Sequence, residues 1–488
     1  MNLFLHFQIL EEQRAHPNVI IKAEDILPHP TTVSRNTQKA ADMGREALAT
    51  RLRTALSNPS GCVSFTTDQF TDQYKQRTYT SITAHWIEEW VLHSHVLTTH
   101  EFPEDQQKTG INIRQHLQEI FQEMGLSPEL LKRAVFTTDK GSNIILALRD
   151  EERLDCINHI LNRVVQHSLE PKHAPVAVLD LISAGKELVR FIKKSSLQEQ
   201  LSKTLKQSQA TRWNSTFTML QSILDSYDEL QQLLAIKRPS ELHCLTAINK
   251  SLLKELTDFL HEFEIATKAC EGEHHPTLHR VIPLMKQLEA HCESAEGDSC
   301  PLISLKDKML TFLQDKFTPH ILHKAAVFLN PLQKSMRALP LEDRQLVLNY
   351  INDRIDALPL RAHRPAPQEE APQPPEKKRR LNINTFDDLP EDEEQLSEVE
   401  LYQQHSVKGP DRQLPLLEWW KQHSTTFPAL STVAASILCI MSTSAPSERN
   451  FSIAGTVVSL RRSSLKPSSV NSLLFINSAR RFSRKCPK

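Results

Sequence analysis

Glycine is scarce in this sequence, with 10 among 488 residues, while proline reaches 28. Neither G-x-x-x-x-G-K-[ST] nor G-x-G-x-x-G occurs, which argues against a nucleotide cofactor held by a glycine-rich loop. Charge of one sign is also lacking. The 58 lysines and arginines nearly cancel the 59 aspartates and glutamates, leaving −1. Any surface for nucleic acid must therefore be local. The eight cysteines contain no C-x-x-C pair, a pattern that fits reduced thiols inside a cell better than a disulfide framework. Met1–Leu10 is mildly apolar but has no basic flank and is too short to span a bilayer, so no membrane segment is expected.

What is present is an α/β pattern followed by a long helical one. Val63–Asp68, Thr78–Ile87, Val91–Thr99 and Ala134–Asp139 read as strands, with an aspartate ending the first and the fourth. Ile113–Met124 has helical apolar spacing, and Leu154–Val165 starts strand-like and continues helical. From about 176 to 360 the apolar residues recur every three or four positions. The expected organisation is 1–60, an N-terminal helical segment; 61–175, the first part of an α/β core; and 176–361, an all-α insertion. A Pro-rich and acidic disordered linker follows at 362–400, then a helical region at 401–480 and a basic tail at 481–488.

Several motifs carry candidate chemistry. Phe65-Thr66-Thr67-Asp68 and Phe136-Thr137-Thr138-Asp139 are nearly identical endings. Cys156-Ile157-Asn158-His159 is a C-x-x-H pair without two further ligands nearby, so a zinc centre there lacks partners. Arg212-Trp213 is either a base-stacking pair or a core tryptophan at a helix start. Cys270, His274, His275, His279, His291, Cys292 and Cys300 match no common zinc-finger spacing and read as structural. Lys377-Lys378-Arg379-Arg380 is the best nuclear-import signal. Arg461, Arg462, Lys466, Arg480, Arg481, Arg484, Lys485 and Lys488 make the C-terminal region basic.

Near the C-terminus, Ser444-Ala-Pro-Ser-Glu448-Arg449-Asn450-Phe451 runs on to Val470-Asn-Ser-Leu-Leu-Phe-Ile-Asn477. This arrangement, with the two T-T-D motifs, the C-x-x-H and the R-W, resembles the hAT (hobo/Activator-type) DNA transposases over roughly residues 30 to 480. The resemblance implies an RNase H-like catalytic core interrupted by a large all-α insertion, with a helical C-terminal dimerisation region completing the core. It implies Asp68, Asp139 and Glu448 as the metal-binding catalytic triad, with Mg²⁺ or Mn²⁺ as the ion. It further implies DNA contacts by Arg212, Trp213 and His159, and a nuclear homodimer or higher assembly. Leu430, Phe451, Val470, Leu473, Leu474 and Phe475 are the expected dimerisation residues, with a purely intramolecular core as the alternative. Phe70 and Asn330 depart mildly from the family's usual Trp and Asp. No BED-type zinc finger is seen in the sequence. The alternatives are a domesticated, catalytically inactive dimer that binds DNA or regulates transcription, and a helical interaction scaffold.

Overall fold

The computed structural model describes residues 29–57, 61–72, 76–209, 212–358, 396–457 and 465–485. The import signal at Lys377–Arg380, the 362–395 part of the linker, and Arg461, Arg462 and Lys488 lie outside the described residues. The architecture is mixed α/β and mostly helical, around a five-stranded sheet of order β3-β2-β1-β4-β5. The strands are β1 (Ser64–Thr71), β2 (Thr78–Glu88), β3 (Val91–Glu101), β4 (Val135–Thr138) and β5 (Glu152–Asp155). β1, β2 and β3 form an antiparallel meander, and β4 and β5 run parallel to β1. β1 does not end at Asp68 as expected. It pairs with β2 as far as Thr71↔Thr78, so Asp68 lies inside the strand.

The two faces of this sheet differ in chemistry. Phe65, Phe136 and Ala84 share one face, because directly paired residues point the same way. That face packs on α1 (Pro30–Ser57) and α2 (Gly110–Glu123) in one apolar cluster. α1 starts with proline at its first turn, where the missing N–H costs nothing, so Thr32 and Ser34 lie inside the helix and do not cap it. The opposite face carries Ser64, Thr66, Asp68, Ser81, Thr83 and His85. Apart from Asp68 these polar residues are fully buried. Such a face demands hydrogen-bonding partners, because a buried hydroxyl left unpaired costs about 1–3 kcal/mol.

A helical body follows, built from α3 (Ile157–Ser168), α4 (Val176–Lys194), α5 (Trp213–Asp225), α6 (Tyr227–Lys237), α7 (Lys250–Cys270), α8 (Val281–His291) and α9 (Cys300–Lys316). Its core runs from Ile157 to Leu313, so the body begins earlier and closes earlier than the expected 176–361 insertion. α10 (Ile321–Phe328) and α11 (Leu341–Asp356) belong to a different core. They pack with α12 (Glu398–Gln404), α13 (Leu416–His423) and α14 (Pro428–Leu438) against the sheet residues Leu92, Val135 and Leu154. Trp419 and Trp420 are fully buried there, and Trp420 Nε1 donates to Leu329 O at 2.9 Å, consistent with a packing role.

The last two helices are α15 (Ala445–Val457) and α16 (Pro467–Lys485). α16 lies on β3 and α1. β3 is an edge strand, and α16 covers it: the Ser478 hydroxyl accepts from Val96 N (3.1 Å) and Asn471 Oδ1 accepts from Thr99 N (3.0 Å). Edge N–H groups covered in this way cannot template pairing with another chain. Among the described residues, no helix is long and apolar enough to cross a membrane.

Candidate active site

The parallel pairing of β1 with β4 sets Thr66 opposite Thr137. Two residues further along each chain stand Asp68 and Asp139. The repeated F-T-T-D motif is therefore one register position read twice on adjacent strands, which lie about 4.8 Å apart. Both aspartates line a cavity of about 290 Å³, with Gln69, Thr80, Lys108 and Asn143. Asp139 sits just beyond β4 and accepts from Gly141 N at 3.3 Å. A Cβ at Gly141 would come 3.3 Å from the Asp139 carboxylate, so the glycine leaves that oxygen room. Arg153 props the backbone from below, donating to Thr138 Oγ1 (3.1 Å) and Asp139 O (3.2 Å) while its other Nη pairs with Asp155 at 2.6 Å.

Glu448 arrives from far along the chain, on the first turn of α15. The hydroxyl face of the sheet receives that helix. Ser447 Oγ bonds Thr66 Oγ1 (3.1 Å), a contact 381 positions apart in sequence, and donates to Thr66 O (3.0 Å). One turn on, Asn450 Nδ2 donates to Ser81 Oγ (3.0 Å) and Thr99 Oγ1 (2.7 Å). Both side chains are fully buried. Residues three apart share a helix face, so Ser447 and Asn450 dock the helix while Glu448 between them points elsewhere. Before this helix, the strand of chain at 441–444 is tied on all sides. Thr137 donates to Met441 O (2.7 Å), Ile157 N to Ser442 O (3.0 Å), and Ser442 to Thr277 Oγ1 (2.9 Å).

Charge is concentrated here. Burial pushes the Asp68 carboxyl up to about 7, aided by Glu448 and Asp139 and opposed by His159. Burial works against the His159 cation, but Cys156, Asp68 and Glu448 outweigh it and push that imidazole up to about 10. His159 Nδ1 lies 3.8 Å from Glu448 Oε1, and Arg212 Nη2 lies 2.5 Å from Glu448 Oε2. Arg449 anchors the next turn, donating to Glu271 O (3.0 Å) and pairing with Glu273 (3.4 Å).

The donor set suits a hard divalent cation. Carboxylate oxygens at neighbouring strand positions are what Mg²⁺ and Mn²⁺ take, and Asp68 and Asp139 line one cavity. The fit is incomplete as the side chains stand. Ligand atoms of Cys156, His159 and Glu448 lie within 4.8 Å of one another, and the three carboxylates form no such group among the described residues. Cys156 is committed elsewhere, its sulfur accepting from Ser444 N at 3.2 Å.

The comparisons with known proteins fall on these same segments. The sequence model of the hAT family C-terminal dimerisation region matches residues 392–479. That of the ZBED1 RNase-like helical domain matches residues 154–259. The chain is 31% identical to the Transposable element Hobo transposase of Drosophila melanogaster over 313 residues, which is 64% of this chain and 47% of that protein. It is 22% identical to the Putative AC9 transposase of Zea mays, over 96% of this chain and 63% of that one. Zinc finger protein 618 of Mus musculus is 23% identical, over 71% of this chain and 36% of its own length.

The chain belongs to the hAT superfamily, as a transposase or a derivative of one.

It spans less than two thirds of the length of these relatives. The dimerisation region supports self-association. The side chains expected to mediate it are mostly interior, however. Leu430, Val470, Leu474 and Phe475 are buried within the protomer, and Phe451 packs on Phe70 with ring centroids 4.4 Å apart. Leu473 alone of the six is exposed, at 37%. The reason is that α14 fills the core under α11 while α16 seals β3 and α1, where Arg45 lies over the Phe475 ring. Trp213 is likewise a core residue of the hAT helical body, 3% exposed and beside Phe217, so its ring offers no free face to a base. Its backbone N–H donates to Asn162 Oδ1 at 3.2 Å. Arg212 and His159 both turn toward Glu448. His279, Cys270 and Cys292 are buried, consistent with the structural reading of that stretch.

Sequence reasoning missed Ser447, Asn450 and Arg153. The S-x-x-N spacing beside Glu448 was the available signal for the first two: polar side chains one turn apart on an otherwise buried helix have to meet polar partners.

Proposed function

We propose that this chain is an hAT-type, transposase-like nuclear protein that dimerises, binds DNA, and cleaves and joins DNA strands at Asp68, Asp139 and Glu448. The core is read as RNase H-like. Supporting this are the strand order, three antiparallel strands followed by two parallel ones, and the carboxylates of Asp68 within β1 and Asp139 just beyond β4. The observation that carries the reading is the shared register of Asp68 and Asp139 with Glu448 docked on the same sheet face by Ser447 and Asn450.

Asp68, Asp139 and Glu448 are the residues that would hold Mg²⁺ or Mn²⁺. Such ions, when bound, stabilise the attacking and leaving oxygens of a phosphodiester displacement. The chain's own groups do the rest. The His159 cation, facing Asp68 and Glu448, balances negative charge beside the reacting phosphate. Lys108 lines the same cavity and offers an ammonium to a non-bridging oxygen. Water attacks phosphorus, the bond to the leaving oxygen breaks, and that oxygen departs as a hydroxyl. A freed 3′-hydroxyl then repeats the displacement on a second phosphate. The Hobo and AC9 relatives are both described as transposases, which agrees with this chemistry.

The Arg212–Glu448 contact supports a second reading, a domesticated dimer that binds DNA without cutting it, because the arginine stands where an ion would be held. The test is Mn²⁺- or Mg²⁺-dependent nicking of a DNA pool that includes pre-nicked and branched ends, with Asp139→Ala alongside. Cleavage lost in the variant supports the enzyme. DNA binding without cleavage by either protein selects the second reading.

A further inference from the structure

The buried state of Leu430, Val470, Leu474 and Phe475 leaves self-association with only Leu473 exposed among its expected residues. We propose that a second copy of this chain docks on the face around Trp90, at the end of the sheet opposite the carboxylates. The proposal rests on the self-association of the dimerisation region and not on the carboxylate site.

The β2–β3 hairpin closes through Glu89 and Trp90, with Glu88 paired to Val91. Both turn residues are left-handed, at φ +50° and +62°. A two-residue hairpin turn of that kind strongly favours asparagine and glycine, since a Cβ crowds the backbone there. Placing glutamate and tryptophan in it opposes folding. What the strained turn achieves is the position of one indole, stacked on Trp420 at 6.2 Å and 12°. That indole stands between two cavities. One, of about 550 Å³, has Trp86 and the Ser431 and Ala435 side of α14 along its wall. The other, of about 530 Å³, has Leu332, Leu414 and Leu416. Val91 and Leu332 beside them are 43% and 54% exposed.

Three observations point to a second copy as the occupant. First, each cavity has a wall inside the segment matched as the dimerisation region, at Asp411–Trp419 for one and Ser424–Ser436 for the other. Second, the rim carries both signs of charge, with Arg51 and Arg280 against Glu88, Glu89 and Glu418. A twofold interface uses one patch twice, so it must be complementary to itself, and a mixed rim around an aromatic centre meets that condition. Third, the face lies past the Ser64 end of β1, so docking leaves Asp68 accessible from the other end.

The full chain is measured by sedimentation equilibrium, with folding followed by circular dichroism. Val91→Glu and Leu332→Glu alter exposed side chains and so spare the fold. Each is expected to weaken the dimer about thirtyfold, the loss typical of a central anchor. Trp90→Gly relieves the turn strain while removing the indole, and is expected to give a monomer that melts no earlier than the unsubstituted chain. Leu473→Glu, at an exposed apolar position of the matched dimerisation region, is expected to leave the dimer intact. A monomeric unsubstituted chain overturns the proposal. So does a dimer indifferent to both glutamate variants, or one dissociated by Leu473→Glu instead.

Discussion

Arg212 places a guanidinium nitrogen 2.5 Å from one carboxylate oxygen of Glu448, across 236 positions of sequence. The arginine side chain is 67% exposed while the glutamate is 15% exposed. The pair therefore closes the candidate site with a group that is free to leave.

Arg212→Gln is expected to raise the affinity for Mn²⁺ or Tb³⁺ by up to about fivefold, since exposed ion pairs are worth roughly 0.2–1 kcal/mol. Titration by calorimetry or lanthanide luminescence measures it. Glu448→Gln is expected to lower the same affinity. An arginine variant that binds ions more weakly would show that Arg212 supports the site instead of competing for it.

Asn450→Ala removes two buried hydrogen bonds and leaves Ser81 and Thr99 hydroxyls without that partner. A loss of about 2–3 kcal/mol is expected in urea denaturation, with Ser447→Ala costing about 1 kcal/mol. Both variants are expected to lose any metal-dependent nicking by more than their fold stability explains, because each loosens the helix that presents Glu448.

Acid is expected to unfold the protein from the inside. Burial depresses His85, His279 and His323 to about 3, and His95 and His116 to about 4. A folded pKa below the unfolded 6.5 means stability is fully present above 6.5 and is lost as pH falls toward 4. Each such histidine contributes about 1.4 kcal/mol per pH unit in that window. Asp68 works in the opposite sense. Its pKa is raised to about 7, so its contribution is full below 3.8 and fades as pH rises through about 7. Denaturation curves between pH 4.5 and 7.5 are expected to show His323→Gln with a shallower acid loss and Asp68→Asn with a steeper net rise.

Trp213→Ala is expected to destabilise the helical body by about 3–5 kcal/mol, as loss of a buried aromatic does. Trp213→Phe is expected to bind single-stranded DNA as the unsubstituted chain does. A large loss of affinity in the phenylalanine variant, with stability retained, would restore the base-stacking role.

Much of the sheet, and the placing of two candidate site residues on it, was legible in the sequence, for physical reasons that differ by residue. Alternation exposed β2 and β3, and the repeated F-T-T-D placed Asp68 and Asp139 because equal spacing from a paired strand forces equal position. The end of β1 was misread because an acid after two threonines looks like a stop, whereas pairing with β2 carries the strand to Thr71. Apolar periodicity marked α14 and α16 but could not say what they bury against. Leu430 and Phe475 satisfy a protomer core as well as an interface, and only the tertiary neighbours decide. The polar face of the sheet was invisible for a related reason. Ser64, Thr66, Ser81 and Thr83 form a polar side whose cover, with Ser447 and Asn450 bonded to Thr66 and Ser81, comes from a distant part of the chain.

The docking of Ser447 onto Thr66 has a consequence for synthesis. A ribosome releases Asp68 and Asp139 more than three hundred residues before Glu448. Until then the hydroxyl side of the sheet has no cover and the third carboxylate does not exist. Long-range closure of this kind is slow, because the loop entropy comes first and the contacts later. On the proposed reading, a nascent or prematurely terminated chain has two of the three carboxylates and no means to cut DNA.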